Sequence, residues 1–219
     1  MSDDAHREID RGYRMPRDLP EGWNPKEVLL VQLSADYDDG RVIFSASDVY
    51  PYPEDATTES PPDIKQFSRR IARDGFPNPG ELPNPRPSES KYGPLDIVVD
   101  KPCYIVVCLN TDIRWRFRSS GPAITTKKDY GKDNCYLKHL NPEGAPLSDH
   151  GPGNSDICQV VYFAVTRRGY RERQGFNFHL DLLQNDSGTP QVIEIKLDPD
   201  VPDDGGGFPM LDWTSPYEP

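Results

Sequence analysis

Ile113-Arg114-Trp115-Arg116-Phe117-Arg118 and Phe176-Asn177-Phe178-His179-Leu180-Asp181-Leu182 are the two stretches on which the fold turns. In the first, every odd-numbered position is apolar and every even-numbered one is arginine; in the second the even positions are apolar. A strand sends successive side chains to opposite faces, so alternation with period two predicts one packed row and one wet row, as in antiparallel sheets. Val192-Ile193-Glu194-Ile195-Lys196-Leu197 repeats the pattern with its apolar residues mostly at odd positions.

Further strand signals surround these three. Val28 to Val31 opens a strand, the run DYDDG at 36–40 predicts a turn, and 41–47 completes a hairpin. Beyond residue 94, strands are expected at 95–99, 103–109, 113–118, 135–139, 157–166, 176–183 and 192–197, separated by Gly, Pro, Asn and Asp clusters. Short strands punctuated in this way point to an all-β, antiparallel β-sandwich of about nine strands and not to βαβ units. One helix is expected, at 61–73. Ser60 is placed to cap it, Pro61 suits its first position, Ile64, Phe67 and Ile71 share one face, and Gly75 stops it. Lys65, Arg69, Arg70 and Arg73 lie on its other face.

The remaining stretches set the domain organisation. Residues 1–22 are polar and without period, which predicts a flexible N-terminal arm. A single β-sandwich domain is expected over 23–201. Within it, 76–94 carries six prolines and can be neither helix nor central strand, so it forms a Pro-rich strap between the N-terminal hairpin and helix and the main strands. An acidic and aromatic tail, 202–219, holds Trp213 and Tyr217. Its aromatic residues either fold back on the sandwich or form a short motif for a partner.

With 219 residues, 24 Pro and 17 Gly but 11 Tyr, 8 Phe and 3 Trp, the composition fits a modest core with long loops and does not fit disorder. The formal net charge of −11 argues against non-specific nucleic-acid binding, which rests on Lys and Arg neutralising phosphates, and against docking to anionic membranes. No apolar stretch is long enough for a transmembrane helix, and the charged start lacks the apolar run of a signal peptide. A cytoplasmic setting is the expectation, with Cys103, Cys108, Cys135 and Cys158 as free thiols.

Candidate chemistry is sparse. Arg114, Arg116 and Arg118 project from one strand face about 7 Å apart, and Lys127 and Lys128 in the loop TTKK at 125–128 add two cations. Guanidinium groups suit carboxylate and phosphate, so these five residues are candidate ligand-binding groups for an anion. The other reading is a solvated face neutralised by the chain's own 36 acidic residues. His179 and Asp181 share a strand face and are a candidate general base and its partner, although a polar pair on a wet strand face is the far commoner arrangement. No metal site is expected, because no C-x-x-C pair occurs and Cys103 and Cys108 point to opposite faces. The acidic run LDPDVPDDGGG at 197–207 lacks the order of a calcium loop and reads as a solvated turn. Nucleophile-elbow and phosphate-loop motifs are missing, and no cofactor is implied.

KPCYIVVCLN at 101–110, IRWRFR at 113–118, FNFHLDLLQ at 176–184 and VIEIKLDPDV at 192–201 resemble small bacterial proteins that circulate under the name "nucleotide synthetase". The resemblance covers about residues 95–201. It implies a small β-sandwich protein and carries over no catalytic residue. The residues themselves favour a non-catalytic binding or protein-interaction module, with a protein partner or a small anionic ligand. The alternative is an enzyme acting on a phosphorylated or carboxylated small molecule, with Arg114, Arg116, Lys127 and Lys128 gripping the anion and His179 as general base.

Overall fold

A computed structural model of the chain describes residues 25, 27–38, 41–49, 63–78, 80, 95, 97, 102–111, 113–118, 122–127, 136–140, 158–165, 173–186, 189–197 and 200–202. Among these the protein is mostly strand, with one helix. In chain order the elements are β1 (Glu27–Asp38), β2 (Arg41–Val49), helix α1 (Ile64–Asp74), β3 (Cys103–Leu109), β4 (Trp115–Phe117), β5 (Ile124–Thr126), β6 (Tyr136–Leu140), β7 (Val160–Val165), β8 (Arg173–Asp186), β9 (Thr189–Leu197) and β10 (Asp200–Pro202). The N-terminal arm, most of the proline strap, most of the tail with Trp213 and Tyr217, and Ser60, Pro61, Cys135 and Lys128 lie outside the described residues.

The strands form two sheets. Sheet 1 has the order β2-β1-β3-β7-β6. The hairpin of β1 and β2 pairs as far as Asp38↔Arg41, so the turn is narrower than DYDDG suggested. One pairing departs from the antiparallel expectation: β1 and β3 run parallel, from Glu27↔Cys103 to Leu33↔Leu109. A parallel pair needs a long crossover, and here β2 and α1 lie within that connection. Sheet 2 is built around β8. On one of its edges β9 and β10 follow in a single register, Phe178↔Leu197 and then Asp200↔Gly175. On the other, β4 pairs at Leu180 to Leu182 and β5 at Phe176 to Phe178.

The two sheets face each other across one core. Phe163 of β7 meets Phe176 and Phe178 of β8 at centroid distances of 5.1 and 6.5 Å, and Phe44 of β2 meets Trp115 of β4 at 6.0 Å. Leu29, Val31 and Leu33 from β1 and Ile105 and Val107 from β3 join them, with Phe117 and Leu180 from sheet 2. The apolar rows predicted at 113–118 and 176–182 therefore line this core. Trp115 carries one polar atom inward, and its Nε1 donates to the Asn110 carbonyl at 2.7 Å. Cys103, Cys108 and Cys158 are buried free thiols, and burial pushes the Cys108 thiol far up.

Sheet 1 is buried on its other side too. Val28, Leu30, Tyr104, Val106, Val160 and Tyr162 meet Ile64, Phe67 and Ile71 of α1. The i, i+3, i+7 spacing puts those three helical residues on one stripe. The helix starts three residues later than Pro61, because Asp63 supplies the cap: its side chain accepts from the Gln66 N–H at 3.0 Å. Gly75 closes it at φ 85°, a conformation that favours glycine, and its N–H donates to the Ile71 carbonyl. Lys65, Arg69, Arg70 and Arg73 are exposed, with the Arg70 guanidinium 5.4 Å from the Phe67 ring centroid.

Several strand boundaries move. The 113–118 strand shortens to Trp115–Phe117 and 157–166 to Val160–Val165, while 176–183 lengthens to Arg173–Asp186. Leu95 lies in a turn and Ile97 outside any strand, although Ile97 is fully buried in the core. Thr125 and Thr126, expected in a loop, belong to β5, and Asp200, expected in an acidic turn, starts β10. No helix among the described residues is long and apolar enough to cross a membrane.

Candidate functional site

The outer face of sheet 2 carries the polar rows. Directly opposed residues in antiparallel strands share a face, so the register alone brings several of them together. Arg116 stands opposite Asp181, and Asp181 opposite Glu194. His179 stands opposite Lys196, and Asn177 opposite Thr125. Arg118 continues the ladder beyond β4, its N–H donating to the His179 carbonyl at 2.9 Å, while the His179 N–H donates to the Ala123 carbonyl at 2.8 Å. Lys127 extends β5 in the same way, its N–H donating to the Gly175 carbonyl at 2.9 Å.

The alternation predicted that this row would be wet. It is not: Arg116 is 8% exposed, Arg118 7%, His179 2% and Asp181 3%. Charges leave water only when they are compensated, and the compensation is visible. Asp181 Oδ2 lies 3.2 Å from Arg116 Nε, and Asp181 Oδ1 lies 3.9 Å from Arg118 Nε. On the far side of Arg118, Nη2 lies 3.2 Å from Glu194 Oε2, and the Glu194 side chain is 57% exposed. Two guanidiniums and two carboxylates thus form one cluster, buried at Asp181 and open to solvent at Glu194. Arg114 sits at its rim, exposed, and its carbonyl accepts from the Leu183 N–H at 2.7 Å.

A second polar chain adjoins the cluster. His179 Nε2 and Thr125 Oγ1 are 2.9 Å apart, and Asn177 Nδ2 donates to the same hydroxyl at 3.2 Å. A hydroxyl has one proton and two lone pairs, so Thr125 can accept from Asn177 while donating to, or accepting from, His179. The imidazole is therefore held in orientation without being fixed in one tautomer. Sequence reasoning placed His179 and Asp181 on one strand face; the bond at the His179 Nε2 runs to Thr125 of β5.

The register brings Arg116, Arg118, Lys127, His179 and Asp181 to one sheet face, with Arg114 at its rim. It adds four residues that sequence reasoning did not select: Thr125, Asn177, Glu194 and Lys196. Asn177, Glu194 and Lys196 sat in the polar rows of alternating segments and Thr125 in the TTKK loop; only the pairing between strands shows that they share a face. Chemically, the cluster offers planar donors suited to an oxyanion, beside an imidazole able to hold or pass a proton.

No curated protein matches the chain. A family model described as "predicted novel nucleotide synthetase" matches residues 70–206, from within α1 to beyond β10, and spans the whole of the polar face. The match covers more than half of the sequence, and the chain belongs to this predicted nucleotide synthetase family.

Proposed function

We propose that the protein is an enzyme acting on a nucleotide or a closely related phosphorylated small molecule, and that the outer face of sheet 2 is its site. The observation that carries this is the burial of Arg116, Arg118, His179 and Asp181 together on one sheet face. A face that served only to meet solvent would not desolvate three charged groups and an imidazole, and buried titratable sets of this kind concentrate where chemistry is done. Membership of a family described as a predicted nucleotide synthetase supports a nucleotide as the substrate class. In this proposal Arg116 and Arg118 bind phosphate oxygens, Arg114 and Lys127 draw the anion in, and His179 takes the proton from a reacting hydroxyl, steadied through Thr125 and Asn177. Asp181 keeps the two guanidiniums in place.

Calorimetric titration with the four nucleoside triphosphates, in parallel with Arg118→Ala and His179→Ala, tests this. Arg118→Ala should weaken binding at least about tenfold, the order expected for losing a charge-assisted contact. His179→Ala should keep binding and lose turnover. Absence of binding by the unaltered protein at millimolar nucleotide would remove the proposal. A second reading, a non-catalytic binding module, is favoured by one observation: Arg116 and Arg118 both face a carboxylate of their own chain. It prevails if Arg116→Ala lowers stability and leaves every nucleotide titration unchanged.

A further inference from the structure

We propose that Glu194 is a built-in competitor for the anion site, its carboxylate occupying the part of Arg118 that a nucleotide's phosphate would take. This rests on the proposed nucleotide site and specifies how that site is kept closed. Three observations meet at Arg118. Its side chain is 9% exposed, so the guanidinium is held by the fold and cannot swing into water. Its Nε is buried and has no hydrogen-bond partner among the described residues, with Asp181 Oδ1 at 3.9 Å, beyond hydrogen-bond reach. Its Nη2 is engaged at 3.2 Å by Glu194. The guanidinium therefore keeps unused donor capacity in a buried place while its engaged edge is held by a largely exposed carboxylate.

The two carboxylates around Arg118 differ in how easily they leave. Asp181 is 4% exposed at its side chain and also holds Arg116 at 3.2 Å, so removing it would strand two buried cations. Glu194 lies on the opposite strand with its side chain mostly in water, where an ion pair is weak and one rotamer change releases it. A phosphate group carries more charge than a carboxylate and matches the guanidinium fork with more oxygens, so it displaces Glu194 where a monoanion does not. The contact then acts as a filter in favour of polyphosphates. Lys196 is exposed and lies two residues further along the same face, a second cation for such a ligand.

The test is calorimetric titration of the full chain with ATP and with inorganic pyrophosphate at low ionic strength, comparing the unaltered protein with Glu194→Gln and Arg118→Ala. Glu194→Gln keeps the shape and removes the charge, and its exposed position leaves the fold intact, which circular dichroism checks. Affinity for both probes should rise about two- to fivefold, the scale of one solvent-screened ion pair, and the gain should shrink in added salt. Acetate, a monoanion, should bind the variant measurably and the unaltered protein hardly at all. If ATP binds the unaltered protein through Arg118 but Glu194→Gln binds it equally or less well, the competitor is overturned and the nucleotide site stands. If neither protein binds ATP or pyrophosphate, the nucleotide site itself is overturned.

Discussion

On the outer face of sheet 1, Val28, Leu30, Tyr104, Val106, Val160 and Tyr162 are sealed by Ile64, Phe67 and Ile71 of α1. On the outer face of sheet 2, the corresponding rows are Arg116, Arg118, Thr125, Asn177, His179 and Asp181, and they are buried as well. The inner faces are alike, both apolar and both turned to the shared core. Only the outer faces differ, one apolar and packed against a helix, the other polar with its charges paired. The first arrangement adds stability from apolar area; the second breaks even at best, since desolvation offsets much of the attraction between the charges. A face kept at no gain in stability is where function is to be sought.

The largest expected effect tests the second face. Asp181→Ala leaves Arg116 and Arg118 without their shared buried carboxylate and should cost about 3–5 kcal/mol in chemical unfolding. A loss under about 1 kcal/mol would mean that the guanidiniums are not held as described. Next comes the first face. Phe67→Ala should cost about 3 kcal/mol, because it opens a hole between α1 and sheet 1, and should leave nucleotide titrations unchanged in the surviving folded fraction. If ligand affinity changed with it, the two faces would not be separable. The smallest effect divides the polar face itself. Thr125→Val removes the hydroxyl shared by His179 and Asn177 and should cost about 1–3 kcal/mol, with turnover falling further than binding. Equal losses in both would move the histidine from proton handling to ligand contact.

Much of this architecture was legible in the residues. The alternating rows at 113–118 and 176–182 do separate an apolar from a polar face, and Ile64, Phe67 and Ile71 do form one helical stripe. What misled was the equation of polar with wet. Alternation tells which side a residue takes, but whether that side is covered depends on what pairs across the strands. Asp181 neutralises Arg116 from a position 65 residues away, a relation no local window contains. The same limit hid the parallel β1–β3 pair, since periodicity carries no strand direction. The apolar runs CYIVVCL and VVYFAV did hold a clue: strands without alternation are buried on both sides, as β3 and β7 are. Of the candidate site, the three arginines, Lys127, His179 and Asp181 could be named from sequence. Thr125, Asn177, Glu194 and Lys196 needed the register.

Every other strand of the second sheet hydrogen-bonds to β8. β4 and β5 emerge from the ribosome some fifty residues before their common partner, and while they wait Trp115 and Phe117 have no ladder to join. Nascent chains ending before Arg173 are therefore the vulnerable ones, with the backbones of β4 and β5 lacking their ladder partner. Synthesis of one fourteen-residue segment gives both waiting strands their partner and a template for the two that follow.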